Sequence, residues 1–345
     1  MEINGVLGPI KREDLGVITP HEHIFIDLKA SFADRPLKDI ENPRTEKVKM
    51  EHLGQLQSDP YALLDNLSMD DYDTQLKEII RFKKAGGGTI VDVTMPGIDR
   101  NPKRLAQIAK DSGLNVIMGT GYYVHAYHPD KVKTMTEEEL AEEMVNEITV
   151  GVDGVKAGII GELGVSEVFT EEEKKVIRAA AIAYKKTGTS VMVHVNPWTT
   201  YGLDAADILL ENGVPADRIA ICHIDVINNV EYILQLLEKG VYIEFDNFGK
   251  QYYVEKAARC VGYDCFVTDV ERVKLVKMLV EKGYTKQLLF SCDVCLKNLL
   301  RTYGGWGYDH VLTNIVPMMD DFGIDEATIK TIIEDNPADY LMGKE

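Results

Sequence analysis

The stretch GVITPHEHI, residues 16–24, is an apolar run that ends in a proline and two histidines one residue apart. Side chains at i and i+2 of a strand point to the same side. His21 and His23 would therefore aim two imidazoles at one point. Runs of this kind recur: TIVDVTM (89–95), NVIMGTG (115–121), AGIIGELG (157–164), SVMVHVN (190–196), IAICHID (219–225), VYIEFDNF (241–248) and QLLFSCDV (287–294). Between them lie amphipathic stretches such as DTQLKEIIRFKKAG, NPKRLAQIAKDSG and VEYILQLLEKG, each closing near glycine as helix C-termini often do. Thr136 with Glu139 and Thr170 with Glu173 have capping-box spacing.

Continuous apolar strands alternating with helices indicate a parallel sheet buried on both faces. Eight such units in 345 residues predict an α/β fold, a (β/α)8 TIM barrel, as a single domain over residues 1–345. A doubly wound open sheet ranks second, and neither GxGxxG nor GxxxxGK[ST] occurs in the chain to support it. Gly86-Gly87-Gly88 precedes a strand and reads as a helix stop. Two connections are too long for plain turns: residues 29–70 after the first strand and 249–270 after the seventh. Long loops in compact domains are usually lids or binding loops, and in a barrel they gather at the C-terminal mouth.

The formal net charge of −18 argues against a nucleic-acid or anionic-membrane surface, which needs clustered Lys and Arg. The N-terminus has no basic stretch followed by an apolar one, and no run approaches the roughly 18 apolar residues of a membrane span. The five cysteines, Cys222, Cys260, Cys265, Cys292 and Cys295, are odd in number and confined to the last third. That suits reduced thiols and a cytoplasmic location.

The expected strand ends carry an unusual set of polar residues: His21 and His23 on the first, Glu162 on the fourth, His194 on the fifth, His223 on the sixth and Asp293 on the eighth. Any one alone reads as a hydrogen-bonded core residue. Six converging on one mouth read as a metal site, because imidazole and carboxylate are what Zn²⁺ and similar ions take. Six ligands suit two ions rather than one.

That order of ligands resembles the amidohydrolase superfamily. With PHEH, GTGYY (119–123), AGIIGELG and GGWGYDH (304–310), it is similar to the phosphotriesterase-related hydrolases from about residue 5 to residue 340. The resemblance implies two divalent ions, zinc first with manganese or cobalt as alternatives. It places His21, His23 and Asp293 on the more buried ion and His194 and His223 on the other. A carboxylated lysine bridges the ions in the phosphotriesterases proper. No lysine stands at that place here, and Glu162 matches a branch that bridges through glutamate. The implied chemistry is hydrolysis of an ester-like bond by water activated between the ions, with Asp293 as proton shuttle.

Substrate expectations rest on loops. Lys250 and Tyr253 after the seventh strand, and Lys297, Arg301 and Tyr303 after the eighth, could hold an anionic group, with Tyr123 leaning over the substrate. The resemblance implies a branch that hydrolyses phosphorylated sugar lactones, for example a pentono-1,4-lactone 5-phosphate, and these basic loops make that branch the expected one. The alternatives are a promiscuous carboxylesterase or phosphotriesterase acting on neutral esters, and a metal-holding barrel that binds without turnover. The expected partner is a small anionic molecule, with no nucleic acid and no membrane; a homodimer is an expectation of the resemblance alone.

Overall fold

Each of the eight apolar runs forms a parallel strand: β1 (Val17–Glu22), β2 (Gly87–Asp92), β3 (Asn115–Thr120), β4 (Ala157–Val165), β5 (Val191–Val195), β6 (Ile219–Ile221), β7 (Tyr242–Phe245) and β8 (Leu288–Phe290). The structure is a computed structural model and describes residues 1–35, 38, 40–253 and 265–344. The strands hydrogen-bond in chain order into one sheet. The seam between β8 and β1 is joined by side chains. The Glu22 carboxylate accepts from the amides of Cys292 (2.9 Å) and Val294 (2.8 Å), and the Thr19 and Ser291 hydroxyls meet at 2.7 Å. The Ser291 hydroxyl also donates to the His21 carbonyl.

Helices α1 (Tyr72–Lys84), α2 (Pro102–Ser112), α3 (Glu137–Thr149), α4 (Glu171–Thr187), α5 (Gly202–Glu211), α6 (Val230–Glu238) and α7 (Asp269–Glu281) alternate with the strands. The capping boxes at Thr136 and Thr170 both form, and a third at Thr268–Glu271 opens α7. Alternate strand residues serve two cores. Ile18, Val91, Ile117, Ile159, Met192 and Tyr242 meet inside the barrel, while Ile90, Val116, Ile160, Val193 and Ile243 pack outward on the helices. Burying one such aliphatic side chain contributes about 1.5–3 kcal/mol. The floor is plugged by Ile3 and Ile10 of an N-terminal hairpin (Glu2–Gly5 with Gly8–Lys11) and by Tyr340 and Leu341 of the last helix. The sequence reading did not anticipate that hairpin.

Two strands carry one extra residue just below the mouth. On β1, three steps from Thr19 to Glu22 oppose two steps from Ile90 to Asp92. On β4, three steps from Ile160 to Leu163 oppose two from Val191 to Val193. Such a bulge shifts the inward–outward phase by one. Pro20 sits in the first bulge, where its missing N–H costs no ladder bond. Gly161 sits in the second at φ 137°, and a Cβ there would lie 2.4 Å from the Met192 carbonyl oxygen. No other residue type fits, and its backbone turns Glu162 inward. Among the described residues no helix is long and apolar enough to cross a membrane, and the four described cysteines are free; Cys260 lies outside the described residues.

Candidate metal centre

All six expected donors meet at the mouth. His21 Nε2 stands 3.6 Å from both Glu162 Oε1 and Asp293 Oδ1, and His23 Nε2 stands 3.6 Å from Glu162 Oε2 and 3.3 Å from Asp293 Oδ1. The other face of Glu162 belongs to a second pair: Oε1 is 2.6 Å from His194 Nδ1 and 3.2 Å from His223 Nε2, and those nitrogens are 2.7 Å apart. One carboxylate thus lies between two pairs of imidazoles, as a bridging ligand must.

Two buried atoms test whether a cation fits. His21 Nε2 and Glu162 Oε2 have no hydrogen-bond partner, a situation that costs roughly 1–3 kcal/mol per atom unless a ligand satisfies it. Both lie in the first group of donors, whose 3.3–3.6 Å separations match the roughly 3.3 Å edge of a tetrahedral ion with ligands at about 2.0–2.1 Å. The residues fit a divalent cation.

Two of the donors are held in strained backbone. His223 and Asp293 have φ of 60° and 43°, left-handed conformations that cost of order 1–3 kcal/mol each and persist only where surroundings dictate them. For His223 the dictating group is Asp246: its carboxylate accepts from the His223 amide at 3.0 Å and meets Nδ1 at 2.9 Å. His23 Nδ1 lies 2.9 Å from the Thr94 hydroxyl, and His21 Nδ1 lies 3.3 Å from Glu244 Oε2. These partners orient the rings so that the opposite nitrogen faces the mouth. Asp92 accepts from the amides of Ile24 (2.7 Å) and Thr94 (3.1 Å), fixing the turn that presents His23. Asp225 does not touch a ligand ring; it binds Asn247 and the buried Arg272.

The charges are mutually dependent. Burial would keep His21 neutral, but Glu162, Glu244 and Asp293 outweigh it and raise its pKa to about 9. Burial lifts Glu244 to about 7 despite the pull of His21. Burial opposes ionisation of Glu162 too, yet His194 and His21 hold it well below the usual carboxylate range. A divalent ion and these protons compete for the same ring nitrogens. Asp293 has an additional partner, the buried Lys250, whose ammonium pairs with Oδ2 and leaves Oδ1 toward His21 and His23.

Five of the donors, all but the deeper His21, line a cavity of about 480 Å³. Tyr61, Tyr123, Trp198, Tyr252 and Phe266 form much of its wall, and Arg35 and Lys250 are its basic residues. Tyr123 stands edge-on to His194 with ring centres 4.8 Å apart. The expected substrate set is therefore gathered only in part. Tyr123 and Lys250 line the cavity; Tyr253, Lys297, Arg301 and Tyr303 do not. After β8 the chain turns back in two short 3-10 turns, Lys297–Leu299 and Arg301–Tyr303, and packs beneath the long loop that follows β1. There Asp65 takes the Lys297 ammonium at 2.8 Å, and Asn66 accepts from the Asn298 amide at 2.8 Å. Arg301 pairs with Asp309 at 2.9 Å, and Tyr303 packs beside the buried cluster of Ile40, Val48, Leu56 and Leu63. Tyr253 is exposed, and residues 254–264 of its loop lie outside the described residues.

The sequence reading missed Arg35, which the loop after β1 brings to the cavity in a two-point pair with Asp59 (2.9 and 2.8 Å). It missed Glu244 and Asp246 as well. Their signal was present: two carboxylates at i and i+2 in VYIEFDNF repeat the pattern of the two histidines.

The family model for the phosphotriesterase family matches residues 1–341. The chain is 35% identical over 352 residues to an N-acetyltaurine hydrolase of Xenopus tropicalis, covering 99% of this chain and 98% of that one. Among solved structures it resembles a resiniferatoxin-binding protein from Rhodobacter sphaeroides, with TM-score 0.94 and 31% identity over 99% of this chain and 94% of that one. It also resembles the phosphotriesterase homology protein from Escherichia coli, solved with phosphate in its active site. There the TM-score is 0.78 and the identity 27%, over 95% of this chain and 99% of that one.

Proposed function

The chain belongs to the phosphotriesterase family, and from that premise we propose that it hydrolyses the amide bond of a small N-acylated compound bearing an acidic group, with N-acetyltaurine as the reference. The observation that carries this reading is the six-donor mouth in a chain similar over nearly its whole length to a protein named N-acetyltaurine hydrolase. A cavity of about 480 Å³ suits a small metabolite, since ligand sites run from about 300 to 1,000 Å³. An acidic group entering it meets Arg35 and Lys250 within a protein that is otherwise strongly acidic.

In this reading His21, His23 and Asp293 hold one divalent ion and His194 and His223 the other, with Glu162 shared. Zinc is the first expectation, and manganese or cobalt suits the same donors. Such a pair, when bound, brings the pKa of water near neutrality and polarises the acyl oxygen. Asp293 takes the proton of the attacking water and passes it to the leaving nitrogen, which departs as a neutral amine. Lys250, on Oδ2, orients that carboxylate and keeps it ionised between turnovers. Tyr123 and Trp198 line the cavity together with the donors.

A pentono-1,4-lactone 5-phosphate remains the competing substrate. Lys250 and Arg35 could meet its phosphate, but Lys297 and Arg301, expected to hold it too, do not line the cavity. The test is a panel on metal-loaded protein: N-acetyltaurine, pentonolactone phosphates and a neutral aryl ester. Clear preference for N-acetyltaurine is expected. Faster opening of a phosphorylated lactone would overturn the amide reading while keeping the metal chemistry, and a best rate on the neutral ester would discard the anion-binding role of Arg35 and Lys250.

A further inference from the structure

The loop after β3 carries a second group of metal-binding side chains, outside the six donors. His125 opens a short 3-10 turn (His125–Tyr127), His128 caps it, and Glu172 stands in the first turn of α4. His125 Nδ1 is 3.2 Å from Glu172 Oε1, and His128 Nδ1 is 2.6 Å from the same oxygen. The turn is fastened to α4 independently, since the His125 amide donates to Glu173 Oε1 at 3.0 Å.

The decisive contact is on the other side of His128. Its Nε2 lies 2.7 Å from the carbonyl oxygen of Tyr123. A carbonyl only accepts, so Nε2 carries a proton. Nδ1 then faces a carboxylate oxygen at 2.6 Å, a distance that needs a cation between them, either a second ring proton or a metal ion. An Nε2–H bound to a backbone carbonyl, with Nδ1 left as ligand, is the arrangement that metal-binding histidines adopt. The His128 and Glu172 side chains are 1% and 14% exposed while that of His125 is 47% exposed, which leaves an open side for a water as fourth ligand.

We propose that His125, His128 and Glu172 form a further metal site, for zinc or a similar borderline divalent cation, separate from the donors of the mouth. The ion would brace the cavity wall. Tyr123 receives the His128 Nε2–H on its carbonyl and presents its ring to His194, so an ion that fixes His128 fixes Tyr123. The rival arrangement is a doubly protonated His128 paired with Glu172 and no metal.

The experiment uses the full chain with its mouth already saturated, titrated with Zn²⁺ against a chromophoric chelator. Wild type is expected to bind one zinc more than His125→Ala. Glu172→Gln, which keeps the shape of the side chain, should weaken that additional ion by about tenfold or more, the loss seen even for partners of metal ligands. The readout is the difference between variants, so it does not depend on how many ions the mouth holds. His125 is half exposed, and matching melting midpoints of the metal-free wild type and variant would show that folding is intact. Equal stoichiometry in wild type and His125→Ala overturns the proposal. So does nitrogen-15 NMR showing protons on both ring nitrogens of His128 at neutral pH in the zinc-saturated protein.

Discussion

Asp293 and Lys297 are four residues apart and end in opposite circumstances. Asp293 lies just past β8, where the Glu22 carboxylate of β1 holds the amides of Cys292 and Val294 on either side of it, and its two oxygens face His23 and Lys250. Lys297 lies one turn later, beyond any ladder, and swings away from the cavity to Asp65. The difference is one of constraint. A strand end inherits its direction from the barrel's closure, which no side chain can negotiate. A loop cation in a chain of net charge −18 is drawn instead to a mostly buried carboxylate, here Asp65, which it shares with Lys47.

The largest test of this contrast is at the mouth. Glu162→Ala should lower both bound metal and kcat/KM, the latter by about 10³-fold or more, since several kcal/mol of charge stabilisation go with the ions. Retention of full metal and activity would break the reading of Glu162 as the shared ligand. A smaller loss is expected from Lys250→Met, which leaves Asp293 without its ammonium partner. Here kcat should fall by about 10–100-fold with metal content preserved, and a raised KM with unchanged kcat would leave Lys250 only its contact with the substrate's acidic group and remove its role on Asp293.

The loop side of the comparison predicts no catalytic effect. Lys297→Met should leave kcat/KM unchanged and cost about 1–3 kcal/mol of stability in urea unfolding near pH 7. Its pH dependence follows from Asp65. Burial would raise that carboxyl, but Lys297 and Lys47 outweigh it and hold it below its ordinary value. A folded-state pKa below the unfolded one gives stability that is present above the unfolded value, near 4, and lost as pH falls through the depressed folded value. The deficit of Lys297→Met should therefore shrink as pH falls below about 4 and vanish only below the depressed folded value of Asp65. A deficit in substrate turnover rather than stability would return Lys297 to the cavity.

Legibility differed along the same line. All eight strands were visible as apolar runs because a strand buried on both faces leaves a mark in consecutive residues. The donors were visible because histidine and carboxylate are costly at the ends of such runs. The phase of Glu162 was less legible. A strict alternation from Ile159 would turn it outward, and only the bulge at Gly161 reverses that. The supporting groups were hidden further, since Glu22 meets Cys292, and Arg35 meets Asp59, across distances in sequence that no local pattern encodes.

By itself, then, the sequence determined the barrel and which polar residues gather at its mouth, because periodicity and the cost of burying a polar group are local properties of the chain. The tertiary structure decided which carboxylates orient those donors, which cations face the cavity, and that His125, His128 and Glu172 share one point. Each of those outcomes depends on which groups distant in sequence meet at a buried charge, and that is decided only when the loops pack.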